Sequence, residues 1–261
     1  MRIYVFTDME GISGVAGSSF VTTDGRHYQA GCKYYTWDMN ACARGCFNAG
    51  ADAVIVRDGH ADGSNAVWEE LDPRIELVRG TGGSRRMPTL EDADAVILLG
   101  YHAMAGTPAA LLDHSFCSRT IQNLWLNGRK VGEIGIDAAV VGEQGVPTIM
   151  VSGDDKACEE AGDWIPGVVT CQVKVGFGCQ GARLLSMEAA HRLIEETTVE
   201  AIRRIKSIRP LKVDHPVTVR VEKVERGSVP NEWARPDIRV IDGRTYETTA
   251  DTVEQAIMRV F

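Results

Sequence analysis

Acidic residues and histidines follow three of the apolar runs that the sequence offers as strands. Asp8 and Glu10 come directly after the first run. His60 follows the second, and His102 follows the run at 95–99. Because the carboxyl ends of strands in an open α/β sheet meet at the edge where ligands bind, we expect these side chains to lie close together.

Asp8 and Glu10 are two residues apart, so an extended backbone directs both side chains to the same side. Two bare carboxylates placed in this way repel each other unless a cation holds them. Together with His60, His102 and Glu133, they form an oxygen and nitrogen ligand set suited to zinc or a related divalent ion. Five ligands are too many for one open tetrahedral site and suit two ions that share a carboxylate.

Each of these residues also has an ordinary structural explanation. Asp8 could cap a loop, and Glu133 at the start of a predicted helix suits the helix dipole. The joint placement favours a metal site, because three of the six histidines lie beside acids in loops that follow strands or a hairpin. These histidines are His60, His102 and His114.

The elements that must position these residues alternate, which is typical of a parallel α/β sheet. Short apolar runs predict strands at 2–7, 53–56, 75–78, 95–99 and 147–151. Apolar residues at intervals of three and four predict helices at 27–49, 133–143 and 156–164. Within 116–131, two extended segments around Asn127-Gly128 predict a type I′ hairpin, because both residues tolerate positive φ.

After Gly181 the pattern changes to a helix, two strands and a closing helix, at 186–206, 217–221, 238–241 and 251–260. This order is typical of a smaller α+β unit. We therefore predict an α/β metal-binding catalytic domain at 1–182, in which helices flank a mostly parallel sheet and a hairpin at about 116–131 is inserted. A smaller α+β domain is predicted at 183–261.

The composition is that of an ordinary soluble protein, with 44% hydrophobic and 25% charged residues. A net charge of -8 repels phosphate backbones, so nucleic acid is not an expected partner. The N-terminus lacks the apolar segment of a secretory signal, and no run approaches the roughly 20 apolar residues of a membrane span. We expect a cytoplasmic protein with no membrane partner.

Two glycine-rich segments resemble phosphate-binding loops but lack a required residue. The segment at 176–181 fits G-x-G-x-x-G, yet the acidic residue about 20 positions on lies within a predicted helix and not on a strand. The segment at 80–84 lacks the Lys-Ser/Thr of a P-loop and predicts a mobile loop. Neither segment favours a nucleotide site.

Five short motifs occur in consistent order along the chain. They are D-M-E-G-I-S-G at 8–14, D-G-H at 58–60, G-Y-H-A at 100–103, D-H-S at 113–115 and G-E-I-G at 132–135. Together they closely resemble the motifs of the D-aminopeptidase family of dinuclear zinc peptidases, peptidase family M55. The resemblance extends from Met1 to about Ala161 and is weaker beyond it.

The resemblance implies two zinc ions per subunit, with other divalent metals as alternatives. Asp8 would bridge the two ions. Glu10 and His102 would complete the coordination of one ion. His60 and Glu133 would complete that of the other.

His114 matches the histidine that the family uses as its catalytic residue, where it is described as the nucleophile. On physical grounds we favour a general base or proton shuttle, because water activated by the metals is the better attacking group at neutral pH. The resemblance implies removal of the N-terminal residue from short peptides, with a preference for D-residues such as D-alanine. It also implies a homo-oligomer, for which a closed ring is one arrangement.

Two other functions remain open at this point. A dinuclear phosphoesterase uses the same ligand types to clamp a phosphate. A non-catalytic peptide-binding protein would hold structural metals in closed sites, whereas hydrolysis needs an open coordination position.

Four acids near the motifs have two interpretations each. Asp58 would either orient His60 through its free ring nitrogen or cap the end of a strand. Asp113 would likewise either orient His114 or act as a cap. Asp154 and Asp155 would either bind a substrate ammonium or cap the following helix, and we favour the cap.

Overall fold

The protein is described by a computed structural model that covers residues 1–81, 83 and 85–261. Its strands are β1 (Arg2–Thr7), β2 (Ala53–Asp58), β3 (Ile75–Val78), β4 (Ala95–Tyr101), β5 (Ile121–Leu126), β6 (Arg129–Lys130), β7 (Thr148–Gly153), β8 (Val169–Gln172), β9 (Lys174–Gly178), β10 (Gly181–Leu184), β11 (Val217–Lys223), β12 (Ile238–Val240) and β13 (Thr245–Ala250). Its α-helices are α1 (Tyr28–Asn48), α2 (Glu133–Glu143), α3 (Asp155–Trp164), α4 (Met187–Arg203) and α5 (Val253–Val260).

Two residues of the glycine-rich segment at 80–84, Gly82 and Ser84, lie outside the described residues, so the mobile loop stays a prediction. Across the described part of the chain, none of the helices is long and apolar enough to cross a bilayer.

A six-stranded parallel sheet in the order β3-β2-β1-β4-β7-β8 confirms the predicted α/β fold. β1 pairs with β2 from Arg2↔Ala53 onward, and with β4 from Ile3↔Ala95 onward. The edge strand β8 was not predicted, because only two of its four residues are buried and its apolar pattern is short. The sheet places the ends of β2, β1 and β4 side by side.

Alternate residues of β1 pack on opposite faces of this sheet, as the two-residue period of a strand requires. Ile3 and Val5 belong to an apolar cluster with α1 and α4. Tyr4 and Phe6 belong to a second cluster with α2, α3 and the apolar residues of β11. Because both faces are covered, a strand such as β1 is buried along nearly its whole length.

The predicted hairpin forms β5 and β6, and Asn127 and Gly128 have φ values of 48° and 82°, as expected for a type I′ turn. β5 pairs with β11, so the hairpin joins a five-stranded sheet in the order β12-β13-β11-β5-β6. β13 was missed because its sequence T-Y-E-T-T-A is mostly polar, although four of its residues are buried.

The division predicted between residues 182 and 183 stays a prediction, and two sets of contacts cross it. α4, which was expected in the C-terminal unit, packs against α1 and the parallel sheet at β7 and β8. The hairpin, expected in the first unit, pairs with a C-terminal strand.

Main-chain contacts hold the segment after β1 against the end of β4. Asp8 N donates to Leu99 O at 2.8 Å, and Gly11 N donates to Gly100 O at 2.7 Å. Gly100 has a φ of 78°, which favours glycine at this position. The backbone therefore places Asp8 beside the residues that end β4.

We expect Gly11→Ala to lower the free energy of unfolding by about 3 kcal/mol, because the added Cβ would overlap the carbonyl oxygen of Tyr101 and force the two segments apart. Denaturant unfolding measures the change. Gly162→Ala in α3 is the matched control: its Cβ would meet nothing within 4 Å, and it should stabilise the protein by about 0.5–1 kcal/mol. Equal effects of the two variants would contradict the argument.

Candidate metal centre

The six residues singled out in the sequence form one connected cluster of side chains. Neighbouring strands β2, β1 and β4 deliver four of them at their carboxyl ends. The other two come from the start of α2 and from the long segment between β4 and β5. They are Asp8, Glu10, His60, His102, His114 and Glu133.

A first group consists of Asp8, Glu10 and His60. The Nδ1 atom of His60 lies 3.1 Å from Asp8 Oδ1 and 3.1 Å from Glu10 Oε2. The other ring nitrogen, Nε2, donates to the carbonyl oxygen of Val21 at 2.9 Å. This hydrogen bond holds one ring nitrogen on the main chain and leaves Nδ1 facing the two carboxylates, which is the usual arrangement of a metal-binding histidine.

A second group consists of His102, His114 and Glu133. The Nε2 atom of His102 lies 3.2 Å from Asp8 Oδ2 and 3.3 Å from Glu133 Oε1. Its Nδ1 donates to the carbonyl oxygen of Ala103 at 3.0 Å. As with His60, one ring nitrogen is held by the main chain and the other faces carboxylate oxygens.

Asp8 connects the two groups, because its oxygens face different histidines: Oδ1 faces His60 and Oδ2 faces His102. The distances place Glu10 with His60, and Glu133 with His102. The family resemblance instead pairs Glu10 with His102, and Glu133 with His60. The pairing within the set therefore stays a prediction.

His114 stacks on His102, with ring centroids 3.9 Å apart and an interplanar angle of 13°. Its Nδ1 donates to the carbonyl oxygen of Leu112 at 2.8 Å, and its Nε2 lies 3.8 Å from Glu133 Oε1. The His114 side chain is 15% exposed, against 1% for His102. Of the two stacked rings, His114 is thus the more accessible to solvent.

In this cluster, neighbouring charged groups shift the pKa values in the direction opposite to burial. Burial alone raises the pKa of Asp8, but the adjacent imidazoles of His102 and His60 hold it well below its usual range. Burial likewise opposes ionisation of Glu133, yet contact with His102 lowers its pKa to about 2. Burial lowers the pKa of His60, and Glu10 and Asp8 raise it well above its ordinary value. The cluster therefore requires positive charge, supplied either by protons on the rings or by a bound cation.

Two buried atoms test whether a metal fits this cluster. Neither Glu10 Oε2 nor His102 Nε2 makes a hydrogen bond to any described residue. An unpaired buried polar atom costs about 1–3 kcal/mol, so atoms of this kind are expected to serve a bound species. Glu10 Oε2 carries lone pairs, His102 Nε2 carries one when the ring is neutral, and the oxygen and nitrogen donors around them suit zinc. The residues present therefore fit a divalent metal.

Asp58 caps the end of β2 and does not orient His60. Its Oδ2 accepts from the main-chain nitrogens of Asn65 at 2.6 Å and Ala66 at 2.9 Å. The ring of His60 is held instead by Val21 O. The prediction that Asp58 orients the ring of His60 was wrong, because the main-chain carbonyl of Val21 already occupies the free ring nitrogen.

Asp113 similarly does not hold His114. Its Oδ2 accepts from Gly106 N at 2.7 Å, and the free ring nitrogen of His114 is bound by Leu112 O. Asp113 therefore organises the loop that carries the histidine.

Asp154 is the N-cap of α3, as favoured, and both of its oxygens are engaged. Oδ1 accepts from Ala157 N, and Oδ2 accepts from Leu111 N, each at 2.8 Å. Asp155 follows in the first turn of the helix, and its Oδ1 accepts from Gly176 N at 2.9 Å. Main-chain groups thus take oxygens that a substrate ammonium would need.

Sequence reasoning missed a buried ion pair behind Glu133. The guanidinium of Arg86 donates to Asp137 at 2.8 and 2.9 Å, and its Nη2 lies 3.3 Å from Glu133 Oε2. Tyr101 OH donates to the same Asp137 carboxylate at 2.7 Å. Arg86 therefore holds Oε2 of Glu133, while Oε1 accepts from Phe116 N at 2.7 Å and faces His102. The available signal was Asp137 itself, a buried acid one turn after Glu133 in an otherwise apolar helix.

Sequence reasoning also missed Lys174, whose side chain is buried. Its Nζ donates to Glu10 O at 2.8 Å and to Val15 O at 2.9 Å. These bonds fix the main chain that carries Glu10. The only sequence signal was a lysine between two valines.

We expect Arg86→Met to lower the free energy of unfolding by about 3–5 kcal/mol, because it leaves the buried Asp137 carboxylate without its cation. Arg85→Met is the matched control. The Arg85 side chain is 38% exposed and pairs with Glu91 and Glu254, so its loss should cost about 1 kcal/mol or less. Denaturant unfolding of both variants compares them, and a loss at Arg86 no larger than at Arg85 would refute the assigned role.

Comparisons with known proteins show the family to which this chain is similar. The family model for D-aminopeptidase, Peptidase M55, matches residues 1–261. The D-aminopeptidase of Bacillus subtilis strain 168 is 33% identical over 258 residues, covering 97% of this chain and 90% of that protein. The solved structure of the Zn-dependent D-aminopeptidase DppA from Bacillus subtilis, a self-compartmentalizing protease, is similar with a TM-score of 0.94 and 32% identity, covering 99% of this chain and 95% of that one. The chain therefore belongs to the D-aminopeptidase family, peptidase family M55, as its five motifs predicted.

Proposed function

We propose that this chain is a zinc-dependent aminopeptidase that removes the N-terminal residue from short peptides, with a preference for D-residues such as D-alanine. The observation that carries the proposal is the Asp8 carboxylate, whose two oxygens serve two separate ligand groups. Membership of the D-aminopeptidase family favours a peptidase over a phosphoesterase or a non-catalytic binding protein.

Two zinc ions per subunit fit the five candidate ligands. Asp8 would bridge them, and Glu10, His60, His102 and Glu133 would complete the two sites. When bound, zinc polarises the scissile carbonyl and lowers the pKa of a bound water. Arg86 keeps the Glu133 carboxylate oriented, and Lys174 keeps the main chain of Glu10 in place.

His114 would act as the general base and acid. Because its Nδ1 is engaged with Leu112 O, Nε2 is the atom that transfers protons. Nε2 accepts a proton from the attacking water and delivers it to the leaving amine. The stacked ring of His102 limits the rotation of the His114 ring and keeps its Nε2 directed towards Glu133 Oε1.

We further propose that the chain forms a homo-oligomer in the cytoplasm, for which a closed ring is one arrangement. The structurally similar protein from Bacillus subtilis is a self-compartmentalizing protease, and the likeness covers 99% of this chain. Short peptides are the proposed substrates.

His114→Ala should lower kcat for D-Ala-D-Ala by about 10²–10⁴-fold, because it removes the group that transfers protons. Zinc content should stay at the wild-type value. Peptide hydrolysis and elemental analysis of the same sample measure both quantities. His215→Ala is the control, since this histidine is half-exposed and lies beside Glu143 and Asp251. A zinc-loaded His114→Ala protein with wild-type turnover would refute the role.

Removing zinc with a chelator should abolish hydrolysis of D-Ala and L-Ala dipeptides, and returning zinc should restore it, because the metals would polarise the scissile carbonyl and activate the water. Asp8→Asn should reduce the content of both ions, and Glu133→Ala should reduce the content of one.

The double variant His60→Ala/Glu133→Ala tests whether His60 and Glu133 bind the same ion. It keeps as much zinc as either single variant if these residues share an ion, and less if they do not.

Two results would contradict the proposed function. Hydrolysis of nitrophenyl phosphate without hydrolysis of either dipeptide would favour the phosphoesterase. Zinc-loaded protein that binds dipeptides and hydrolyses neither substrate would favour the binding protein.

A further inference from the structure

Glu160 is a buried acid of α3 that lies outside the proposed ligand set. The residue is 6% exposed. Its Oε2 accepts a hydrogen bond from Met104 N at 2.7 Å. Met104 follows His102 by two residues, so this bond ties α3 to the segment that carries one candidate ligand.

The same carboxylate lies against the segment that carries a second candidate ligand. A Cβ atom added to Gly132 would lie 2.5 Å from Glu160 Oε1 and 2.8 Å from the Cβ of Met104. Gly132 is the residue immediately before Glu133, the first residue of α2. Glu160, Met104 and Gly132 are thus packed so closely that position 132 has no room for a side chain.

The burial of Glu160 is costly, which indicates a specific role. Its Oε1 has no hydrogen-bond partner among the described residues. Burial raises its pKa to about 7, although the bond from Met104 opposes this change. A leucine would fill similar space but could not accept from Met104 N, whereas a glutamine could, so the contact with both segments, and not the charge, is what this position supplies.

We propose that Glu160 is a positioning residue that sets the separation of His102 and Glu133 and thereby the zinc affinity of the metal centre to which both residues contribute. These two residues approach each other at 3.3 Å, between His102 Nε2 and Glu133 Oε1. Glu160 touches neither ligand atom and acts through the main chain on both sides. The inference rests on the proposed zinc site and adds a residue that determines how tightly that site binds.

The test is a zinc titration of the full-length chain against a competing chelator. Glu160→Ala should weaken the binding of zinc by about 10- to 100-fold, the usual effect of removing a residue that orients metal ligands. Glu160→Gln keeps an acceptor for Met104 N and should stay within about threefold of the wild type, which is rescue by the conservative variant. Glu159→Ala is the matched control, because the neighbouring Glu159 side chain is 68% exposed.

A double-mutant cycle separates positioning from a general loss of structure. In the His102→Ala background, Glu160→Ala should cause little further loss of affinity, because the site it supports is already damaged. Thermal unfolding of the metal-free variants follows stability separately. If Glu160→Ala does not fold, Glu160→Asp replaces it, since the shorter side chain withdraws the carboxylate from Met104 N.

Three results would overturn the inference. Wild-type zinc affinity in Glu160→Ala would do so, and so would equal losses in the wild-type and His102→Ala backgrounds. A wild-type chain that binds no zinc would refute the proposed function itself, whereas the first two results leave the zinc site of the wild type in place.

Discussion

The buried carboxylate of Asp8 is the constraint on which the rest of the site depends. One of its oxygens faces His60 and the other faces His102, so a single side chain belongs to both groups of candidate ligands. Concentrating carboxylates and imidazole lone pairs in a buried place is unfavourable without positive charge between them. The fold must therefore hold these groups together against their own repulsion, and it does so with main-chain contacts and buried ion pairs.

This support comes from outside the ligand set and from distant parts of the chain. Lys174 of β9 binds the main chain at Glu10, Arg86 holds one oxygen of Glu133, and Glu160 of α3 binds the main chain near His102. Buried charges seldom increase stability, and the two apolar clusters on either face of the parallel sheet must offset their cost. The arrangement exchanges some stability for fixed positions of the ligand atoms.

Most helices and strands were predicted well from the sequence, because they depend on apolar patterns and turn residues within short segments. The helix predicted at 133–143 has those bounds, and Asn127-Gly128 forms the expected turn. The strands that were missed, such as β13, take their burial from partners far along the chain and carry no strong apolar pattern of their own. For the same reason the sequence did not reveal that the hairpin pairs with β11 or that α4 packs on α1.

The sequence by itself determined the chemistry and the family, because ligand types at strand ends and five ordered motifs are properties of short segments. Only the tertiary structure decided which side chains approach one another. It showed that Val21 O, and not Asp58, holds His60, and that Glu10 lies nearest His60 while Glu133 lies nearest His102. It also revealed Arg86, Lys174 and Glu160. Their roles arise from contacts between residues that are 47 to 164 positions apart or that bridge separate elements, and no local pattern of residues encodes such contacts.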